Sequence, residues 1–140
     1  MPTASHPPPE GPLRVSILTQ GSYLIASVHT ALDDGQLVRF RQDLLEQIGQ
    51  QRSRGVIIDV AALDVIDSFA CHTLCTITQV ARLRGAETVV VGIQPDVAHA
   101  MVRLGVSVGN LTTALDLEDG MTRLEVMTSG AVFLPGRDAR

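Results

Sequence analysis

Three aspartates and one serine stand close together in the middle of the chain, at Asp59, Asp64, Asp67 and Ser68. Clustered carboxylates can bind a divalent cation, because hard cations prefer oxygen ligands. The same residue types also occur in turns and at helix N-caps, where a side-chain oxygen accepts a backbone N–H. Asp59 ends an apolar run, and we expect its carboxylate to accept hydrogen bonds from the loop that follows. A loop that leads into a helix therefore explains these residues without a metal.

Ser68 stands where a helix is expected to begin, and its hydroxyl allows two interpretations. Either Asp67 or Ser68 can cap the helix, a role worth about 1 kcal/mol. Alternatively, a hydroxyl on a loop at a helix start is accessible to a protein kinase, and the helix N-terminus would partly stabilise the phosphate. Phosphorylation would add about −1.5 to −2 charges beside Asp64 and Asp67, and the repulsion could abolish an interface. The residues alone leave both interpretations open.

The pattern Cys71-His72-x-x-Cys75 suggests a metal site. On a helix, however, Cys71 and Cys75 share one face, whereas His72 is rotated away by about 100°. Metal sites usually need a fourth ligand and a distant pair of partners, which the sequence does not offer at recognisable spacing. We interpret the cysteines as small core or boundary residues with free thiols, and His72 as exposed. No metal or other cofactor is predicted.

The sequence lacks the motifs of common enzyme classes. The chain contains no lysine, which excludes a P-loop lysine and a Schiff-base lysine, and it has no GxGxxG loop. Ser68 does not lie in a G-x-S-x-G motif. We therefore expect that the protein is not an enzyme. A binding module that holds a nucleotide or another small ligand at its strand ends remains open, because ligands often bind there in α/β folds.

Composition excludes several further classes of protein. The net charge of −4 argues against sequence-independent binding of nucleic acid. No apolar run approaches the roughly 20 residues of a membrane span, and the N-terminus does not resemble a secretory signal. We therefore expect a cytoplasmic protein that binds neither membranes nor nucleic acid. Hydrophobic residues make up 45% of the chain but aromatic residues only 3%, which is typical of parallel strands covered by helices.

The hydrophobic pattern predicts the element order β-β-α-β-α-β-α-β-α. A tight turn at Gln20-Gly21-Ser22 joins the first two strands in a hairpin. Asp33 and Gln36 have the spacing of a capping box for the first helix, which is expected to end at Gly49 and the polar run that follows it to Arg54. Apolar runs at 55–60 and 88–92 are typical of strands buried on both faces. The alternation of strands and helices predicts an α/β fold with a mixed, mostly parallel sheet and right-handed crossovers.

The second helix is expected to run from Ser68 to about Arg84 and to be followed by Gly85 in a C′ position. Asp116 is expected to cap the last helix. The side chains predicted to face the core from the first two helices are Leu37, Phe40, Leu44, Ile48, Phe69, Ala70, Leu74, Ile77 and Ala81.

The chain length predicts one domain, at residues 13–126. Residues 1–12 contain five of the seven prolines and are expected to form a disordered or polyproline-like tail. Residues 127–140 lose the helical periodicity and are expected to form a second tail, in which Val132-Phe133-Leu134 is a candidate for docking.

Asp59 and the later Ile66-Asp67-Ser68, at the start of the helix after the third strand, resemble the signature of STAS domains, the anti-sigma factor antagonist family. Further blocks in matching order, over about residues 13–125, resemble the stressosome branch of that family, and in particular its short scaffold proteins. These blocks are Leu32-Asp33-Asp34, Gly55-Val-Ile-Ile-Asp59, Asp67-Ser68-Phe69, Gly85-Ala86, Val91-Gly92-Ile93-Gln94-Pro95, Leu104-Gly105 and Thr113-Ala114-Leu115-Asp116-Leu117.

This resemblance implies a single STAS domain with an N-terminal hairpin and about four helices. It implies a scaffold that assembles with itself, as a homodimer and in higher assemblies, and with a paralogous STAS sensor protein in a large pseudo-icosahedral cytoplasmic complex. The scaffold would sequester a serine/threonine switch kinase and release it when the kinase phosphorylates Ser68, which would activate a sigma factor or another signalling output. The kinase-facing surface would include Asp64, Asp67, Phe69 and His72.

Two alternatives within the family stay open. One is a simple dimeric antagonist that binds an anti-sigma kinase directly. The more remote one is a STAS module that binds a nucleotide or another small ligand.

Overall fold

The computed structural model describes residues 14–106 and 111–129, which form one five-stranded sheet and four helices. The strands follow one another across the sheet in chain order; β1 is antiparallel to β2, and all other neighbours are parallel. The predicted element order and the mixed, mostly parallel sheet are confirmed. The elements are β1 (Val15–Gln20), β2 (Tyr23–Val28), α1 (Asp34–Gln51), β3 (Gly55–Asp59), α2 (Ser68–Leu83), β4 (Glu87–Val91), α3 (Pro95–Arg103), β5 (Thr112–Ala114) and α4 (Leu117–Ser129).

The loops that follow β2, β3 and β4 lie side by side at the carboxyl ends of these parallel strands. Gly21 has φ +61° in the turn between β1 and β2, a conformation that glycine adopts without steric cost. The helices α1, α2 and α3 each join two neighbouring parallel strands. Asp59 at the end of β3 is the register partner of Val91 at the end of β4. The loops that follow these two residues are therefore neighbours.

The first helix starts and ends where the sequence predicts. The Asp33 carboxylate accepts the backbone N–H of Gln36 at 2.8 Å, and the Gln36 side chain accepts the backbone N–H of Asp33 at 2.9 Å, so the capping box is confirmed. The helix ends at Gln51, inside the end region predicted at residues 49–54. Gly49 lies inside the helix, where a Cβ would clash with the guanidinium of Arg84.

The buried face of α2 differs in part from the prediction. Leu74, Ile77 and Ala81 are buried, as are all four residues predicted to be buried in α1, whereas Phe69 and Ala70 are only half-buried. Cys71, Thr73 and Thr78 are buried as well. The two threonine hydroxyls donate to backbone carbonyls four residues earlier, at 2.8 and 3.0 Å, so their burial leaves no hydroxyl unsatisfied.

Helices cover both faces of the sheet. The larger apolar cluster lies between the sheet and α1, α2 and α3, and the smaller one lies between the sheet and α4. Asp116 caps α4, as predicted, by accepting the backbone N–H of Asp119 at 2.9 Å. In the described ranges, no helix combines the length and the apolar character needed to cross a bilayer.

The helix α4 continues to Ser129, so the domain boundary predicted at residue 126 falls inside it. Its last turn is held against the sheet: the Tyr23 hydroxyl is hydrogen-bonded to the Thr128 hydroxyl at 2.8 Å, and Arg54 donates to the Thr128 carbonyl at 2.6 Å. Residues 1–12 and the Val132-Phe133-Leu134 run lie outside the described residues.

The contact of α4 with the sheet leads to a prediction about Gly120. A Cβ at this position would lie 2.6 Å from Cγ1 of Val91, so we expect Gly120→Ala to lower the free energy of unfolding by about 1–3 kcal/mol through overpacking. The matched control is Gly35→Ala in α1, where a Cβ would meet nothing closer than 3.6 Å. Urea unfolding of both variants checks the prediction, and equal stability of the two would contradict it.

Candidate functional site

The loop between β3 and α2 is fixed at its start by three hydrogen bonds. Oδ1 of Asp59 accepts the backbone N–H of Ala61 at 2.9 Å. The backbone N–H of Val60 donates to the carbonyl of Val91 at 3.0 Å, and the N–H of Leu63 donates to the carbonyl of Val60 at 3.0 Å. The loop therefore leaves the sheet in one defined direction.

Residues of the neighbouring loop, between β4 and α3, hold Ala61 from the other side. The side-chain amide of Gln94 donates to the Ala61 carbonyl at 2.7 Å. Gly92 has φ +80°, and a Cβ there would lie 2.8 Å from the Cβ of Ala61. Sequence reasoning assigned no role to Gln94 or Gly92, although both stand in a block that resembles the stressosome branch. A glycine and an amide directly after a buried strand were the available signal.

Asp67, and not Ser68, caps α2. Oδ1 of Asp67 accepts the backbone N–H of Ala70 at 2.8 Å, while Ser68 is the first residue of the helix and is exposed. Among the residues that the structure describes, the Ser68 hydroxyl forms no hydrogen bond. The hydroxyl is therefore not needed to start the helix.

The predicted contact residues lie on different sides of α2. Asp64, Asp67 and His72 are exposed, and Phe69 is half-buried. Ser68 and His72 line the same groove, of about 290 Å³, between α2 and the end of α3. Asp67 instead lines an apolar groove of about 180 Å³ between α1 and α2. The structure thus brings Ser68 and His72 together in one groove, whereas Asp67, at the N-cap, lines the other groove.

The two cysteines lie close to Ser68 but have little thiolate character. Burial raises the pKa of the Cys71 thiol, and the nearby Cys75 and Asp67 raise it further. Burial also raises the pKa of the Cys75 thiol. Both side chains are therefore neutral thiols near pH 7. Within residues 14–106 and 111–129, no three His, Cys, Asp or Glu side chains come together in a way that could hold a metal ion.

The sequence model of the STAS domain matches residues 14–120, which covers the sheet, the Asp59–Ser68 loop and the start of α4. This chain belongs to the STAS domain family.

Two solved relatives of this STAS chain match it over almost their own full length. RsbS of Moorella thermoacetica, solved with a serine-to-glutamate substitution, is 32% identical, with a TM-score of 0.73 over 82% of this chain and 97% of that one. A chain from the structure of the stressosome, which is described as a signal integration and transduction hub, is 29% identical to this chain. Its TM-score is 0.67 over 80% of this chain and 97% of that one.

A third relative is longer. The RsbT co-antagonist protein RsbRA of Bacillus subtilis is 30% identical over 104 residues, which are 74% of this chain and 38% of that protein. The STAS chain thus spans only 38% of the length of this curated relative. The likeness to RsbS, RsbRA and the stressosome chain places the protein in the stressosome branch of the STAS family.

The assignment of the cap leads to a prediction that separates folding from modification. Asp67→Ala removes the acceptor of the Ala70 N–H, so we expect it to lower the free energy of unfolding by about 1 kcal/mol. Ser68→Ala removes only an exposed hydroxyl, and we expect a change within about 0.5 kcal/mol. Urea unfolding measures both. If Ser68→Ala lowered the free energy of unfolding more than Asp67→Ala, Ser68 would be the residue that caps α2.

Proposed function

We propose that this protein is a stressosome scaffold that sequesters a serine/threonine switch kinase and releases it when Ser68 is phosphorylated. The observation that carries the proposal is the Ser68 hydroxyl, which is exposed at the first position of α2 while Asp67 performs the capping. A hydroxyl that the fold does not use can be modified without unfolding the helix.

The similarity to relatives supports the scaffold role. It extends over 97% of the RsbS chain and over 97% of the chain from the stressosome. RsbRA is described as a co-antagonist of RsbT, which makes an RsbR-type protein the candidate paralogue in the assembly and an RsbT-type protein the candidate kinase. The assembly would lie in the cytoplasm.

The fixed loop would present Ser68 to the kinase in a constant position. In phosphoryl transfer, the hydroxyl oxygen attacks the γ-phosphorus of Mg²⁺-bound ATP, the bond to ADP breaks and a kinase carboxylate accepts the hydroxyl proton. Catalysis of this kind depends on positioning. The hydrogen bonds from Ala61 to Asp59 and from Gln94 to Ala61 fix the start of the loop that leads to α2.

Release would follow from the charge that the reaction leaves on Ser68. The new phosphate carries about −1.5 to −2 charges at pH 7. It would face the nucleotide phosphates and the carboxylate of the kinase on one side, and Asp64 and Asp67 of the scaffold on the other. Like charges at a desolvated contact cost several kcal/mol, so the phosphorylated complex would dissociate. Phe69 and His72, the neighbours of Ser68 on α2, complete the proposed contact surface.

The first test is phosphorylation itself. Incubation with the RsbT-type kinase of the same organism, Mg²⁺ and ATP should add one phosphoryl group, which intact-mass measurement and peptide mapping should place on Ser68. Ser68→Ala should gain none and should retain the kinase when ATP is added. Phosphate on another residue would contradict the proposal and would leave Ser68 as an unmodified surface residue.

A second variant tests the electrostatic account of release. Ser68→Asp carries about half the charge of a phosphate, so we expect its affinity for the kinase to fall by about tenfold, the equivalent of about 1.4 kcal/mol. Titration calorimetry measures this, with the isosteric neutral variant Ser68→Asn as the control. Equal affinity of Ser68→Asp and the wild type would exclude release by charge repulsion.

The assembly distinguishes a scaffold from a simple dimeric antagonist. Mixed with the RsbR-type paralogue, the protein should elute from gel filtration in the megadalton range, since the proposed complex contains many STAS domains. A species no larger than a dimer, in the presence of the paralogue, would instead favour the dimeric antagonist that binds its kinase directly.

A further inference from the structure

We infer that His72 binds the phosphate of phosphorylated Ser68, so that the modified serine is held by an ion pair along one face of α2. This inference rests on the proposed phosphorylation of Ser68 and adds to it a specific phosphate ligand within the same chain.

The spacing of the two residues on α2 suits this pair. Ser68 and His72 are four residues apart, so their Cβ atoms are separated by about 5–6 Å. Both side chains are exposed and both line the groove between α2 and the end of α3. The phosphate group would lengthen the side chain of Ser68, and the imidazole ring gives His72 a comparable reach. The two groups can therefore meet in this groove. An anion four residues before a cation is also the favourable order on a helix.

Around the two residues, α2 and its preceding loop offer the phosphate no other cation. The thiols of Cys71 and Cys75 line the groove, but burial raises the pKa of each, so both are neutral. The carboxylates of Asp64 and Asp67 are negative and would repel a phosphate. A phosphate on Ser68 is therefore directed along the helix towards His72.

The opposite wall of the groove carries no charge. It is formed by Leu104, Gly105 and Val106. Arg103 precedes this wall at the end of α3 but is not among the residues that line the groove. The sequence at 107–110, Ser-Val-Gly-Asn, contains no ionisable side chain. Among the residues that the structure describes, His72 is thus the one group lining the groove that can become a cation.

The pair would depend on pH near neutrality. A phosphoserine loses its second proton near pH 6, and an imidazole in water is protonated below about pH 6.5. A protonated imidazole favours the doubly charged phosphate, and the phosphate in turn favours the protonated ring. The reciprocal shift gives a readout that a merely structural role of His72 would not produce.

The test installs phosphoserine at position 68 during translation and follows its ³¹P resonance through a pH titration. We expect the pH at the midpoint of the phosphate titration to rise by about 0.3 pH unit in His72→Gln, because an exposed ion pair on a helix is worth a few tenths of a kcal/mol. High salt should reduce the difference, since exposed charges are screened.

Two variants serve as controls. His99→Gln makes the same substitution at an exposed histidine of α3, and Arg103→Gln removes the cation that directly precedes the opposite wall of the groove in the chain. Neither should move the phosphate midpoint. A midpoint in His72→Gln equal to that of the wild type, or an equal shift in either control, would overturn the inference.

Because the phosphoserine is incorporated during translation, the titration does not need the kinase. A shifted midpoint together with a kinase that ignores Ser68 would refute the proposed function alone. Phosphorylation of Ser68 by the kinase without a shift in the titration would refute the role of His72 alone.

Discussion

The position of Ala61 is the constraint on which the candidate site depends. Its N–H is bound by Asp59, its carbonyl is bound by the Gln94 side chain, and its methyl group packs against the backbone of Gly92. These contacts join the ends of two parallel strands that are already in register. The loop to α2 therefore begins from a point that the pairing of β3 with β4 defines.

At the start of α2, the adjacent residues Asp67 and Ser68 have different roles. Asp67 satisfies an N–H at the start of α2, which stabilises the fold, and Ser68 keeps its hydroxyl exposed. Because Asp67 accepts the N–H of Ala70, the start of the helix does not depend on the serine hydroxyl. This division of roles allows a chemical change at Ser68 while the helix beneath it keeps its hydrogen bonds.

Much of the fold could be predicted from the sequence because local signals agreed with one another. The capping box at Asp33, the unbroken apolar run of β3 and the alternation of strands and helices all led to the observed architecture. The errors arose where tertiary contacts prevailed over residue type. Phe69 and Ala70 fit the apolar pattern of α2 but are only half-buried, whereas Thr73 is polar by type but is buried with its hydroxyl bonded to the backbone. The choice between Asp67 and Ser68 as the cap was equally open, since both residue types are good caps and only the geometry decides.

The two grooves on opposite sides of α2 have a consequence for divergence among paralogues. A helix with its side chains is about 10 Å wide, and among the described residues the groove that contains Ser68 and the apolar groove that contains Asp67 share no lining residue. Substitutions that reshape the apolar groove can therefore accumulate while the surroundings of the serine stay the same. Relatives with this layout can differ in shape at the apolar groove and still present the same surface around Ser68.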